Sequence, residues 1–297
     1  MIKFDLNDKT RAAGAGYALM AGTYVVIAFF GGTLLSSAKI TGAAYYAVAP
    51  IFSAVALFIA TLFLAKNYGV GVKKTCGYNK FAPVYLVVAL FVAFGMMAGL
   101  GFVNDLFAKC LQKIGAKVPE TEIVINSVGE YVLLILSLAA LPAVAEESFF
   151  RGALVYGEAN CKRVWAAVLA GACFALYHCS LSQLVYQFIY GAALYILAKK
   201  SVSVFPGIAA HFLNNFAVLT LGYFGVEVNF YSPVLIVCGI ASLAAATAFL
   251  LLYGRKKNKT ETAEKEEEKG NIKEFFLPYG IFGIVIFSAL IIGGAVV

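Results

Sequence analysis

The sequence predicts an all-α fold: a polytopic transmembrane helical bundle with about eight core spans and one C-terminal span after a charged linker. Three observations carry this expectation. The chain of 297 residues is 62% hydrophobic, with a mean hydropathy of +0.85. Only 13% of its residues are charged, against roughly a quarter in an ordinary soluble domain. Apolar runs of about 20 residues also recur along it, each long enough to cross about 30 Å of hydrocarbon at about 1.5 Å per residue.

Nine runs qualify, at 15–37, 42–65, 81–103, 129–157, 163–180, 183–199, 203–224, 231–253 and 275–296. The first follows Lys3, Lys9 and Arg11 and precedes SSA at 36–38, a pattern shared with secretory signals. Its apolar stretch exceeds the roughly 7–15 residues of a signal h-region, so it reads as a span. Gly95 and Gly99 in the third run suit a close contact between helices. The stretch 104–126 places Lys109, Lys113 and Lys117 four apart, the pattern of an interfacial helix. At 254–274 the composition breaks into a run of mixed charge. The chain therefore divides into a helical bundle over 1–253, with its polar motifs within about 125–255, a charged cytoplasmic linker over 254–274, and a C-terminal transmembrane helix over 275–297, read as an appendage.

Charge sets the orientation. Of the 23 Lys and Arg residues, 19 fall on one side of this alternation and 4 on the other. Because basic loops stay in the cytoplasm, the N-terminus is expected there and the C-terminus, after nine spans, outside. The net charge of +7 thus belongs to topology and gives no footprint for a nucleic acid. The six cysteines are Cys76, Cys110, Cys161, Cys173, Cys179 and Cys238, with no CxxC pair among them. They read as small buried hydrophobes, neither a disulfide framework nor a zinc ribbon.

Against this apolar background the fourth, fifth and seventh runs stand out. An ionisable side chain near the bilayer centre costs between about 2.5 and more than 10 kcal/mol, and such residues mark sites of use. The fourth run ends LPAVAEESFFRGALVYG. On a helix Glu147 and Arg151 share a face at the i,i+4 spacing, acid first. Glu146 points about 100° away, available to a partner on another helix. The fifth run carries GACFALYHCSLSQ, with Phe174 and His178 on one face. The seventh carries PGIAAHFLNNFAVL, with His211 and Asn215 on one face and Asn214 turned aside as a packing or interhelical contact. A His–Asn pair suits stabilisation of a developing oxyanion, which needs preorganised donors. Taken singly, each cluster also fits a polar clasp between helices. Taken together they exhaust the two histidines of the chain and place a free carboxylate beside them. Counted from the cytoplasmic helix ends, Glu146 falls about 16 Å deep, His211 about 13 Å and His178 about 24 Å, so His178 is the member out of level.

In this order, EExxxR at 146–151, FxxxH at 174–178 and HxxxN at 211–215 resemble the CPBP family, the CaaX proteases and bacteriocin-processing enzymes also called Abi proteins, related to the type II CaaX prenyl endopeptidase. The resemblance covers about 125–255. It implies an intramembrane glutamic endopeptidase in which Glu146 and His178 activate the attacking water, His211 and Asn215 form the oxyanion hole, and Glu147 and Arg151 support the site. It implies no cofactor, and leaves Ser148, Cys173 and Cys179 without a catalytic part. The expected partners are a peptide or protein substrate, lipidated in the CaaX branch, and membrane lipid. Two alternatives remain open on the residues alone. One is a zinc peptidase ligated by His178, His211 and Glu146 with Glu147 as base, a ligand type that suits catalytic zinc although HExxH is absent. The other is a non-enzymatic immunity or transport protein, since intramembrane acids also line ion paths.

Overall fold

The computed structural model describes residues 8–118, 123–158, 162–258 and 271–296. Among them the chain forms nine long helical segments at the nine apolar runs: α1 (Lys9–Ser37), α2 (Gly42–Asn67), α3 (Val84–Lys113), α4 (Val128–Gly157), α5 (Arg163–Tyr177), α6 (Leu184–Ser201), α7 (Phe205–Tyr223), α8 (Pro233–Asn258) and α9 (Lys273–Gly294). Six of these, α1, α2, α3, α4, α8 and α9, are long and apolar enough to cross a membrane. The count of nine spans is not reproduced. Helix α5 has 15 residues, or about 22 Å at the α-helical rise, short of a full hydrocarbon crossing. Helices α6 and α7 also fall outside the spanning set. The protein is a multi-pass membrane protein whose short helices lie among its spanning ones.

Local chemistry explains the element ends. Asp8 caps α1, its side chain accepting from the Arg11 N–H at 2.9 Å. Ser127 caps α4 by accepting from the Glu130 N–H at 3.1 Å. The interfacial helix expected over 104–126 is replaced by continuation of α3 to Lys113. Lys109 pairs with Asp105 one turn earlier at 2.8 Å, so Lys109 and Lys113 belong to the exposed end of a long helix, and Lys117 lies past that end. Residues 259–270, most of the charged linker, lie outside the described residues.

Two packed groups hold the molecule together. Helix α3 crosses α8 and also contacts α6 and α7. Gly99 and Gly239 meet backbone to backbone at the first crossing, where a Cβ on either would collide with the other helix. Helix α1 packs on α2 and on α9. The last helix is therefore no appendage in its packing. Phe287 is fully buried, its ring centroid 5.7 Å from Tyr17, 5.9 Å from Tyr24 and 6.0 Å from Tyr177. Arg11 and Glu274 join the start of α1 to the start of α9 by an ion pair. Between the two groups runs α4, which contacts α2 along one side and α7 along the other.

Candidate active site

Helix α4 is not a regular helix. It holds two π-helical stretches, Ile135–Ala140 and Ser148–Leu154, on either side of the α-helical turn Leu141–Glu147 that presents the two glutamates. Such wide turns inside α-helices recur at functional sites. Pro142 contributes to the irregularity, because it has no N–H for the carbonyl four residues back, that of Leu138. The Asn215 side chain donates to that carbonyl at 3.1 Å. Helices α4 and α7 are thus fastened together by a polar contact about two turns before the glutamates.

Glu147 is the anchored member of the acidic pair. It is fully buried, and its Oε1 accepts from Arg151 Nη1 at 2.8 Å and from His211 Nδ1 at 3.0 Å. Arg151 also donates to the Gly191 carbonyl of α6 at 3.3 Å, and its guanidinium lies 4.0 Å from the centroid of the Phe174 ring. Gly207 on α7 leaves the room Glu147 occupies, since a Cβ there would sit 3.0 Å from Glu147 Oε2. One carboxylate thereby fixes a residue of its own helix and a histidine of another.

Glu146 has the opposite environment. It is 7% exposed, its Oε2 is buried without a hydrogen-bond partner among the described residues, and that oxygen lies 3.9 Å from His211 Nε2. This separation is too long for a direct hydrogen bond. Glu146 also lines a cavity of ≈ 330 Å³ between α1, α2 and α4, walled by Tyr24, Tyr45, Phe52 and Pro142.

His178 reaches the same cluster through an aromatic intermediary. Phe174 stands with its ring centroid 4.6 Å from that of His178 and 5.8 Å from that of His211, edge-on to both. The depth mismatch read from the sequence therefore has no counterpart in the packing. Helix α5 is short and ends at His178, followed by Cys179 in the left-handed region at φ 49°. His178 Nδ1 lies 2.8 Å from the Phe174 carbonyl oxygen. A carbonyl only accepts, so Nδ1 carries the hydrogen, and in the neutral ring Nε2 keeps its lone pair.

Asn215 sits one turn beyond His211, where it reaches Leu138 and lines a second cavity of ≈ 380 Å³ between α3, α6 and α7. Asn214 is turned aside from His211 but shares this wall, accepting from the Tyr186 hydroxyl at 3.1 Å and donating to Asn215 Oδ1 at 3.4 Å. Of the residues set aside, Ser148 bonds to the Val144 carbonyl and to the Tyr78 hydroxyl, and Cys173 is buried. Tyr190 escaped the sequence reading. It is 1% exposed, its ring centroid lies 6.1 Å from that of His211, and its hydroxyl has no partner among the described residues. One more tyrosine among 17 offers no sequence signal for such a place. The Leu138 carbonyl escaped too, although Pro142 is its marker in the sequence.

Among the described residues no group of three or more His, Cys, Asp and Glu side chains is arranged to hold a metal ion. Glu147, the base in a zinc mechanism, is engaged by Arg151 and His211.

No curated protein and no solved structure matches the chain. A family comparison does: residues 128–217, from the start of α4 to just past Asn215 on α7, match the family described as Type II CAAX prenyl endopeptidase Rce1-like. The matched segment carries all three motifs, and the match is consistent with the CPBP family and with a membrane protease of the CAAX type.

Proposed function

We propose that the protein is an intramembrane glutamic endopeptidase that hydrolyses a peptide bond of a lipidated or precursor peptide, with no metal in the reaction. The observation that carries this is the contrast within one dipeptide: Glu147 holds Arg151 and His211, while Glu146 is buried, unbonded and 3.9 Å from His211 Nε2. A buried carboxylate with no partner is costly, and a reacting water is a partner that would account for it. A base must stand within hydrogen-bond reach of the proton it takes, and Glu146 lines a cavity of ≈ 330 Å³ in which a water could meet it.

The roles follow from donors and acceptors. Glu146 takes a proton from water as the oxygen attacks the scissile carbonyl carbon. His178 Nε2, left basic by the Nδ1 bond to Phe174, accepts the water's second hydrogen bond and fixes its lone pair toward the substrate. The carbonyl oxygen becomes an oxyanion. His211 and Asn215 supply donors for it, worth most where the surroundings exclude water. As Glu146 gains the proton the carbonyl oxygen gains a negative charge, so charge moves within the site and is not created there. The tetrahedral intermediate collapses when the leaving amine receives the proton held by Glu146.

The substrate class is supported by the match to prenyl endopeptidases and by the aromatic and apolar walls of the cavity that Glu146 lines, which suit an alkyl chain. A cytoplasmic N-terminus, and a cavity facing the same side, follow from the lysine and arginine distribution. Replacing Glu146 by Gln in fully chelated, purified protein tests the proposal, because the isostere keeps the shape and removes the base.

A further inference from the structure

The cavity that Glu146 lines runs lengthwise between the spanning helices α1, α2 and α4. On α1 its wall is the stripe Tyr24, Ala28 and Gly32, residues four apart that share one face. Tyr24 marks the end near the catalytic cluster, because its ring centroid lies 5.9 Å from that of Tyr177, the neighbour of His178. Ala28 and Gly32 follow about 6 and 12 Å farther along the axis. On α2 the wall is a second stripe, Tyr45, Ala49 and Ser53. Ser137 of α4 donates to the Tyr46 carbonyl, and Tyr68 of α2 donates to the Ala153 carbonyl. The two helices therefore run parallel, and Glu146, between Ser137 and Ala153, stands at the Ser53 end of the cavity, away from Tyr45.

Neighbouring glycines of α1 do opposite things here. A Cβ on Gly31 would strike the Phe52 ring, so this glycine lets α1 and α2 close on each other. A Cβ on Gly32 would meet nothing within 4 Å. Gly32, Ala28 and Ala49 thus leave open a channel that larger side chains would fill. Glu146, whose Oε2 is buried without a partner among the described residues, lines the same space and is the one charged group among the described residues that do so. A phospholipid entering from the side of Glu146 would bring its phosphate to that carboxylate with no cation in the wall to offset it, a costly burial. A neutral chain narrow enough to lie between helices fits. A linear isoprenoid is such a chain, and the match to prenyl endopeptidases points to the same class of group.

We infer that this cavity gauges the length of a linear isoprenoid carried by the substrate. The chain starts beside Glu146, passes Ala28 and ends against Gly32. This rests on the reading of the site as a protease for lipidated peptides. Ala28 and Gly32 set specificity and take no part in the chemistry.

The test compares farnesyl and geranylgeranyl forms of one fluorescent CaaX peptide, the second longer by one isoprene unit. Binding is measured in detergent micelles to full-length protein carrying Glu146→Gln, which holds peptide without cleaving it. The change in the ratio of the two affinities from variant to variant cancels partition of the peptides into micelles. Gly32→Leu is expected to weaken the geranylgeranyl peptide about tenfold or more and the farnesyl peptide about threefold or less, the scale of discrimination by an apolar pocket. Ala28→Leu, one turn nearer Glu146, is expected to weaken both about tenfold. Gly22→Leu is the control and should change neither: a Cβ there also meets nothing within 4 Å, but it lies on the side of α1 away from Tyr24. Ala49→Leu narrows the same channel from α2 and takes the place of Gly32→Leu if that variant does not fold. No binding of either peptide, equal loss of both in Gly32→Leu, no loss of either, or the same shift in Gly22→Leu overturns the inference. Hydrolysis by protein with Glu146 intact, assayed apart, separates the two readings. Turnover whose length preference is the same in every variant sinks the gauge and spares the protease. Length-dependent binding without turnover does the reverse.

Discussion

Nδ1 of His211 lies 3.0 Å from Oε1 of Glu147, the same oxygen that receives Arg151 Nη1 at 2.8 Å. A single carboxylate oxygen therefore orients a histidine of α7 and compensates an arginine of α4, all three side chains being almost fully buried. Everything around the free Glu146 depends on this arrangement holding still.

Removing the charge of Glu147 should accordingly be a structural injury before it is a catalytic one. In Glu147→Gln the buried Arg151 loses its counter-charge, and breaking a buried pair from one side costs about 3–5 kcal/mol. We expect a large drop in apparent Tm in detergent. The double change Glu147→Gln/Arg151→Met should recover part of that stability without recovering activity. An unchanged Tm in the single variant would show that the pair is not compensating buried charge.

Asn215 should behave differently, because it fastens to a carbonyl that Pro142 leaves without an α-helical N–H. Asn215→Ala is expected to lower kcat by about 10²–10³-fold, the effect of losing an oxyanion donor, and Tm only slightly. Pro142→Ala restores an N–H that competes for the Leu138 carbonyl, so it should loosen Asn215 and lower kcat by about tenfold or less. A Pro142→Ala enzyme with unaltered kcat would separate the proline from the site.

The last helix should be needed for the bundle to hold. Phe287→Ala removes a ring buried among Tyr17, Tyr24 and Tyr177, and such truncations cost about 3–5 kcal/mol. Tyr177 precedes His178, their ring centroids 5.6 Å apart, so the loss is expected to reach activity as well. Thermal unfolding compared with residual turnover checks both. A variant as stable as the parent would return α9 to the status of an appendage.

Glu158, just past the end of α4, supplies a pH dependence of stability. Both its carboxylate oxygens are buried without hydrogen-bond partners among the described residues, and burial pushes its pKa up to about 8, with Lys199 opposing. A carboxyl raised in the folded state holds its proton there while the unfolded chain, near the ordinary value of about 4.3, has lost it. The unfolded state then binds fewer protons, and stability falls as pH rises between those two values, flattening below and above. Glu158→Gln should flatten Tm between about pH 5 and 8 relative to the parent, since the group that titrates there is gone. Parallel Tm curves for the two proteins would remove Glu158 as the cause.

The parts of this account that were legible in the sequence are those written at fixed helical spacing. Glu147 and Arg151 four apart gave their pairing, and Glu146 one residue away gave its freedom from that pair. The nine apolar runs placed the nine helical segments, because burial of apolar faces and helical length leave a period in the residues. What could not be read depends on irregular backbone and on partners remote in sequence. The π-helical stretches of α4 carry no residue pattern of their own. The approach of Phe174 to both histidines joins segments more than thirty residues apart. Lys109, Lys113 and Lys117 suggested an interfacial helix, whereas Lys109 and Lys113 sit on the exposed end of a longer helix and Lys117 lies past it. The span count could not be read for a related reason: a run such as 163–180 is apolar whether it crosses lipid or lies inside the protein.

The most direct measurement is hydrolysis of a fluorogenic prenylated CaaX peptide by purified protein after exhaustive chelation, beside its Glu146→Gln variant. The account expects the parent to cleave at an undiminished rate without metal and the variant to lose about 10²–10⁴-fold in kcat, the scale of a general base. Cleavage by Glu146→Gln at the parental rate, or loss of parental activity on chelation with recovery on adding Zn²⁺, would contradict it.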